Sequence, residues 1–325
     1  MISSSIPILS QCFIQQHNRR FVFTVLVSQK RARLYLFDRS GACYSEDIDI
    51  NKDPEVFIRV ILGVCSPSCA DVGFDTDVYW STHEVRHIRT LDENQKEIVY
   101  RIKNKIGKPY CYRKTIMGRG TICWKVDSGR LVKDQWTSEE RTPESVLLEK
   151  AKGLPFVGQM VSFATGTSTA KLRGFDSYEN DVSDEDKEIF RNRIFRRFIL
   201  KSGGKPLVEF STPEEVLYAF SLDLRSCTTG HKNLWDIGIL HRDISINNIL
   251  IAHSGKVQQR GTLIDLDMAI SINRTDSLAD TDFRTGTRAF QSASVLYSGW
   301  KDNSKKYPHD HLDDFESLFY VLCWI

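Results

Sequence analysis

The alternation of apolar and polar positions predicts a β-hairpin near the start of the chain. Residues 21–27 form an apolar run rich in β-branched and aromatic side chains, the letters SQKR offer a turn, and residues 32–38 alternate between apolar and polar. Pro54 follows at the first position of a predicted helix whose apolar side chains recur at helical spacing. The pattern therefore predicts a small α/β element over residues 21–65.

A second hairpin is predicted between residues 115 and 136. The runs TIMGRGTICWKV and RLVKDQW have the composition of strands, and they flank a tight turn that carries Gly129. A helix is predicted to begin at Thr142 and Pro143 and to end at Gly153. The later run RIFRRFILK predicts one further strand.

Two polar stretches interrupt this pattern in the second half of the chain. The acidic stretch 176–188 predicts a solvated loop. Thr212 and Pro213 begin another helix, but its amphipathic pattern fails at 226–230, where SCTTG has poor helix propensity. We expect an insertion that bulges from the helix at this point.

Composition and charge exclude several classes of partner. The chain has 325 residues with 44 basic and 42 acidic side chains, and the net charge of +2 supplies no general field for nucleic acid or an anionic membrane. Its eight cysteines form no C-x-x-C pair, and the first residues lack the pattern of a signal peptide. We therefore expect an intracellular protein, in the cytoplasm or nucleus, that binds neither nucleic acid nor membrane.

The strongest chemical signal is the run ILHRDISINNILI at 239–251. It places Asp243 and Asn248 in the pattern H-R-D-x-x-x-x-N between two apolar segments. A phosphoryl-transfer site needs a carboxylate to accept the proton of the attacking hydroxyl, and an amide oxygen nearby to hold Mg²⁺. Further along, the apolar strand of LIDLDMAI delivers Asp265, a second candidate ligand for Mg²⁺, with Asp267 as the alternative.

The sequence resembles the fungal-type protein kinase family in the phrases LVKDQW, GILHRDISINNILI, LIDLDMA, GTRAF and DDFESLFYVL. The resemblance is close over residues 110–325. It implies an α+β, bilobal protein-kinase-like fold, with an N-lobe sheet, a helix C and a mostly helical C-lobe. The implied segments are an accessory α/β element at 1–107, an N-lobe at 108–204 and a C-lobe at 205–325, incomplete and truncated in helix F.

The resemblance also implies the roles of individual residues. Lys133 would contact the ATP phosphates, and a helix-C carboxylate, Glu144 or Glu149, would orient it; we choose Glu144 for its similarity to the helix-C pattern. Gly118 and Gly120 would belong to the loop that covers the phosphates. Asp243 would be the catalytic base of an ATP- and Mg²⁺-dependent protein serine/threonine kinase, with Asn248 and Asp265 holding the metal.

Two structural contacts are also implied by the resemblance. The hydroxyl of Thr287 would bridge to Asp243, and Asp314 in helix F would hold the backbone of the catalytic loop. Helix F would present an apolar stripe that leads us to expect chaperone binding or self-association. Its members are Phe315, Leu318, Phe319, Leu322 and Trp324.

Departures from the kinase pattern keep two other functions open. Ser245 stands where serine/threonine kinases carry a lysine, and Ser292-Ala293-Ser294 stands in place of A-P-E. Both departures would suit a small-molecule kinase of the same superfamily. An incomplete C-lobe would suit a nucleotide-binding pseudokinase or scaffold instead.

Overall fold

The chain has a mixed α/β structure with several small antiparallel sheets. A computed structural model describes residues 11–82, 84–103, 108–220, 226–251, 261–272, 286–297 and 309–325. The chain divides into two compact units. The first unit comprises Met1–Arg141 and Val161–Leu200, and the second comprises Thr142–Met160 and Lys201–Ile325.

Helices and strands alternate along both units. The helices delimited at both ends by described residues are α1 (Pro54–Val64), α2 (Glu144–Lys150), α3 (Thr169–Leu172), α4 (Tyr178–Asp181), α5 (Asp184–Ile189), α6 (Pro213–Phe220), α7 (Cys227–Asp236), α8 (Ala293–Tyr297) and α9 (His311–Trp324). The strands are β1 (Val22–Val27), β2 (Arg31–Asp38), β3 (Gly41–Tyr44), β4 (Ile48–Asp49), β5 (Val78–Trp80), β6 (Arg86–Leu91), β7 (Glu97–Arg101), β8 (Cys111–Tyr112), β9 (Ile122–Lys125), β10 (Arg130–Ser138), β11 (Met160–Ser168), β12 (Arg193–Lys201), β13 (Lys205–Pro206), β14 (Ile239–Leu240), β15 (Ile249–Ile251), β16 (Thr262–Leu263) and β17 (Ile270–Ser271).

The predicted N-terminal hairpin and helix are confirmed. Strands β1 and β2 pair antiparallel with Val22 opposite Phe37, and β3 and β4 extend the sheet. Helix α1 begins at Pro54, whose missing N–H costs nothing at a helix start.

Two further sheets of the first unit share one hydrophobic core. Strands β5, β6 and β7 form one sheet, and the other is five-stranded in the order β11-β12-β10-β9-β8. Ile88 of the first sheet and Trp124, Val132 and Ile199 of the second are fully buried in the same cluster. The predicted second hairpin, β9–β10, and the predicted strand β12 are thereby confirmed, and the sheet before residue 107 shares its core with them.

The prediction for 176–188 is confirmed in its exposure to solvent, with Val182 the buried exception among the described side chains, and wrong in its secondary structure. This stretch forms the short helices α4 and α5, capped by the hydroxyls of Ser177 and Ser183. Val182 and Phe190 are buried against Ala170. The acidic residues of this stretch suggested a loop. Burial of Val182, and of Phe190 just after the stretch, against Ala170 instead packs it onto the neighbouring structure.

The second unit is mainly helical around two small sheets, β13-β15-β16 and β14-β17. The predicted helix start at Pro213 is confirmed by α6. The predicted bulge at 226–230 is wrong, because α7 begins at Cys227 and Gly230 lies within it. A Cβ at Gly230 would lie 2.4 Å from the Phe156 carbonyl oxygen, so close packing explains this glycine better than a break in the helix.

Candidate active site

The loop between β14 and β15 places Asp243 in a fixed and largely buried position. Its Oδ1 atom accepts hydrogen bonds from the backbone N–H of Thr287 at 2.7 Å and from the Thr287 hydroxyl at 2.9 Å. The Asn248 side-chain amide donates to the backbone oxygen of Asp243 at 2.8 Å. The predicted bridge from Thr287 to Asp243 is therefore confirmed.

Asp314 on α9 holds the start of the same loop. Its carboxylate accepts the backbone N–H groups of His241 at 3.1 Å and Arg242 at 3.0 Å, as predicted. It also accepts the Nε2–H groups of His231 at 3.1 Å and His309 at 3.2 Å. Burial alone would raise the pKa of Asp314, but the two histidine hydrogen bonds hold that pKa well below its ordinary value. The loop is thus anchored on an ionised carboxylate.

Three carboxylates meet beside this loop. Oxygen atoms of Asp243, Asp265 and Asp267 all lie within 4.8 Å of one another. Asp265 has φ 69° and ψ 75°, a left-handed conformation that costs a non-glycine residue free energy and is typical of functional sites. Oxygen ligands at this spacing are what a hard divalent cation such as Mg²⁺ requires. The cluster contains both the aspartate favoured by the sequence and its alternative.

Glu144 lies at the start of α2 and is buried, with 2% of its surface exposed. Its Oε1 atom accepts the backbone N–H of Leu266, the residue that follows Asp265, at 3.1 Å. Glu149 on the same helix is exposed and pairs with Lys152 at 2.8 Å. Of the two carboxylates that the sequence offered, Glu144 is therefore the one directed toward the metal-binding candidates.

The remaining predicted residues belong to the first unit. Lys133 is buried on β10, opposite Cys123 of β9. Gly118 and Gly120 lie in the loop between β8 and β9, where the backbone N–H of Gly118 donates to the Arg39 oxygen at 3.0 Å. The Arg39 guanidinium donates to the carbonyl oxygen of Thr115 at 2.6 Å. A Cβ at Gly120 would lie 2.5 Å from Arg39 Nε.

The sequence thus identified most of the charged groups of the site. The second unit brings Asp243, Asn248, Asp265 and Glu144 into one network of contacts. The arginine that holds the glycine loop and the two histidines on Asp314 were missed. The contacts of Arg39 and His231 join residues far apart in the sequence, and His309, only five positions before Asp314, belongs to no motif recognised in the sequence.

The family model described as fungal protein kinase matches residues 7–325. The chain belongs to the fungal protein kinase family. The resemblance inferred from the sequence motifs is confirmed, and it extends over the N-terminal sheets as well. A comparison with curated proteins finds no match.

Membership of the fungal protein kinase family indicates a kinase, a transferase of phosphoryl groups. The three carboxylates and the hydroxyl contact at Asp243 are arranged in keeping with that activity. Within the described ranges, every helix is too short or too polar to cross a lipid bilayer.

Proposed function

We propose that this fungal protein kinase transfers the γ-phosphate of ATP to serine or threonine hydroxyls of a protein substrate, with Mg²⁺. The contact between Asp243 Oδ1 and the Thr287 hydroxyl, at 2.9 Å, carries the proposal. It supports the proposal because it places an aliphatic hydroxyl within hydrogen-bond distance of this carboxylate. A general base must lie within 2.6–3.2 Å or so of the hydroxyl it deprotonates.

Asp243 would act as the base that orients the attacking hydroxyl and accepts its proton. Asp265 and Asn248 would hold Mg²⁺, with Asp267 close enough to share the ion. The donor set of carboxylate and amide oxygens fits this metal. When bound, Mg²⁺ supplies positive charge that neutralises the phosphate oxygens. The strained backbone of Asp265 would keep its carboxylate directed toward the other two.

Lys133, Gly118 and Gly120 would contact the phosphates of ATP, and Glu144 would orient Lys133. The five-stranded sheet supports an N-lobe assignment for residues 108–204, and the catalytic loop held by Asp314 supports a C-lobe assignment for residues 205–325. In this proposal α2 is helix C and α9 is helix F. The boundaries 1–107, 108–204 and 205–325 stay predictions.

A phosphotransfer assay tests the proposed function. The purified chain, ATP with labelled γ-phosphate and Mg²⁺ should label a mixed serine/threonine peptide pool, and a chelator should stop the labelling. Asp243→Asn should lower the rate by about 10²- to 10⁴-fold, the range typical of general-base catalysis. Unchanged labelling by that variant, or labelling of tyrosine peptides alone, would overturn the assignment.

A small-molecule kinase is the second candidate, because of Ser245. This serine occupies the position of a lysine in the kinase pattern, and its buried hydroxyl has no hydrogen-bond partner among the described residues. The site therefore offers a neutral donor where protein kinases offer a cation. Label appearing on a small alcohol and not on any peptide would favour this second function.

Location and association complete the proposal. All eight cysteines are free thiols, which supports a reducing, intracellular compartment, cytoplasm or nucleus. On α9, Phe319 is 60% exposed and Trp324 is 67% exposed, whereas Leu318 of the predicted stripe is buried. Chaperone binding or self-association through this stripe stays a prediction.

A further inference from the structure

Two adjacent carboxylates in the first turn of α9 hold two different segments of the second unit. Asp314 anchors the catalytic loop through the N–H groups of His241 and Arg242. Asp313, which is 6% exposed, accepts the hydroxyls of Ser292, at 2.5 Å, and of Ser294 on its Oδ1 atom. One helical turn therefore connects both segments.

The segment held by Asp313 is the one that carries Thr287. At its N-terminal end, Thr287 donates two hydrogen bonds to Asp243. At its C-terminal end, the backbone N–H of Ala293 donates to Glu316 of α9 at 2.9 Å. Residues 286–297 are thus tied to the catalytic carboxylate at one end and to α9 at the other.

Hydroxyl groups that donate to an ionised carboxylate form short, strong hydrogen bonds. Burial alone would raise the pKa of Asp313, but the hydroxyls of Ser292 and Ser294 keep it below its ordinary value. In the kinase pattern a glutamate within A-P-E anchors this region. Here serines stand on the segment, and the carboxylate is on α9.

We propose that Asp313 is a positioning residue which, through Ser292 and Ser294, holds the segment of Thr287 in register with Asp243. The inference rests on the proposed kinase function. Asp314 fixes the catalytic loop and Asp313 fixes the segment that meets it, so the adjacent pair sets the geometry at Asp243.

Ser294 offers the cleanest test, because it is exposed and lies outside the capping box that Asp313 forms with Asp310. Ser294→Ala removes a hydroxyl donor, and Ser294→Thr keeps one. Leu296→Ala on the same helix is the matched control, since its 40% exposed side chain is apolar and cannot donate a hydrogen bond to Asp313.

We expect Ser294→Ala to lower kcat about 5- to 10-fold, in keeping with the loss of one hydrogen bond to a charged group. The KM for ATP should change less than about twofold, because no phosphate contact is altered. Ser294→Thr should restore kcat, and Ser294→Asp should lower it further by repulsion from Asp313 and Glu316.

Amide hydrogen exchange over residues 286–297 gives a second readout that needs no activity. Ser294→Ala should accelerate exchange there about fivefold or more, and Leu296→Ala should leave it unchanged. If the wild-type chain transfers no phosphate, the proposed function fails and exchange alone decides the role of Asp313. Equal rates and equal exchange for Ser294→Ala and wild type would overturn the proposal, and so would a failure of Ser294→Thr to restore them.

Discussion

The two units bury their charges in opposite ways. In the first unit, Arg197 donates two hydrogen bonds to Asp134 and another to Asp75, at 2.7–2.9 Å, so cation and carboxylate neutralise each other. In the second unit, Asp314 and Asp313 are held by imidazole, hydroxyl and backbone N–H groups, with no arginine or lysine among their partners in the described residues.

The difference follows from what each set of charges holds in place. Asp75 precedes residue 107, whereas Asp134 and Arg197 lie on strands β10 and β12, so this ion cluster ties the N-terminal sheets to the five-stranded sheet. Although burial alone would lower the pKa of Arg197, the two carboxylates raise it above its ordinary value. Because Arg20 also pairs with Asp75 at 2.8 Å, two arginines balance the two carboxylates, and the cluster joins the sheets without net charge.

The second unit gathers carboxylates instead. Asp314 has a lowered pKa and stays ionised, and Asp243, Asp265 and Asp267 bring three carboxylates within 4.8 Å of one another. Carboxylate oxygens are the ligands that a hard divalent cation prefers. The second unit therefore offers the ligand chemistry of a cation site, whereas the first unit pairs its carboxylates with arginines.

Asp265→Asn should have the largest effect of all on activity and almost none on stability. The loss of a metal ligand removes several kcal/mol of transition-state stabilisation, so the phosphotransfer rate should fall by about 10³-fold. Because the substitution keeps the side-chain volume, the melting temperature should change little. Steady-state kinetics measure the loss of rate, and thermal melting measures the change in stability.

Asp267→Asn is the matched variant for this test. It removes the same charge from the same cluster. A larger loss of rate at Asp267 than at Asp265 would move the principal metal ligand to Asp267. A fall in melting temperature for Asp265→Asn would show that the cluster is structural.

Arg197→Leu, in contrast to Asp265→Asn, should act on stability, and we expect it to destabilise the first unit. It leaves Asp134 buried without its cation, while Asp75 keeps its pair with Arg20, and removing one partner of a buried ion pair typically costs about 3–5 kcal/mol. Denaturant unfolding measures the loss. Arg59→Leu is the control, since its pair with Glu55 is exposed and should contribute less than about 1 kcal/mol.

A rescue experiment separates charge from packing. Adding Asp134→Asn to Arg197→Leu removes the unpaired charge, leaves the pair of Arg20 and Asp75 in place, and should recover part of the lost stability. No recovery would mean that the arginine acts by filling space, and the contrast between the two units would then disappear.

Acid should loosen the catalytic loop in a narrow pH range. The pKa values of Asp313 and Asp314 are lowered in the folded chain, so their contribution to stability is complete above the unfolded pKa of about 4 and is lost as pH falls through the folded values. Amide exchange at His241 and Arg242, corrected for intrinsic rate, should accelerate as pH falls below about 4. Protection that stays constant down to pH 2 would contradict the lowered pKa values.

The sequence predicted local structure and motif chemistry well. The hairpins and the starts of α1 and α6 depend on spacing within short segments. The contacts of Asp243 and Asp314 span 44 and 73 positions, and they were implied by the resemblance of whole motifs to a known family. Turn residues, capping residues and the H-R-D-x-x-x-x-N pattern are local, so they can be recognised without the fold.

Long-range contacts could not be predicted in the same way. Arg197 meets Asp75 across 122 positions, and Arg173 meets Asp38 across 135 positions. Surface arginines and aspartates with no such role have the same appearance in the sequence. The errors at 176–188 and 226–230 have a related cause, since burial against distant side chains overrode weak local propensity.

The smallest predicted effect concerns Glu149, which the sequence left as an alternative to Glu144. Glu149→Gln breaks only an exposed pair with Lys152, so unfolding free energy should change by less than about 0.5 kcal/mol and kcat by less than about twofold. Glu144→Gln keeps an oxygen for the Leu266 N–H but removes a buried charge, and its kcat should fall by about tenfold or more. Kinetics of the two variants side by side decide the assignment. If Glu149→Gln were the slower enzyme, the helix would have to present its opposite face to the nucleotide, and the hydrogen bond between Glu144 and Leu266 would be structural alone.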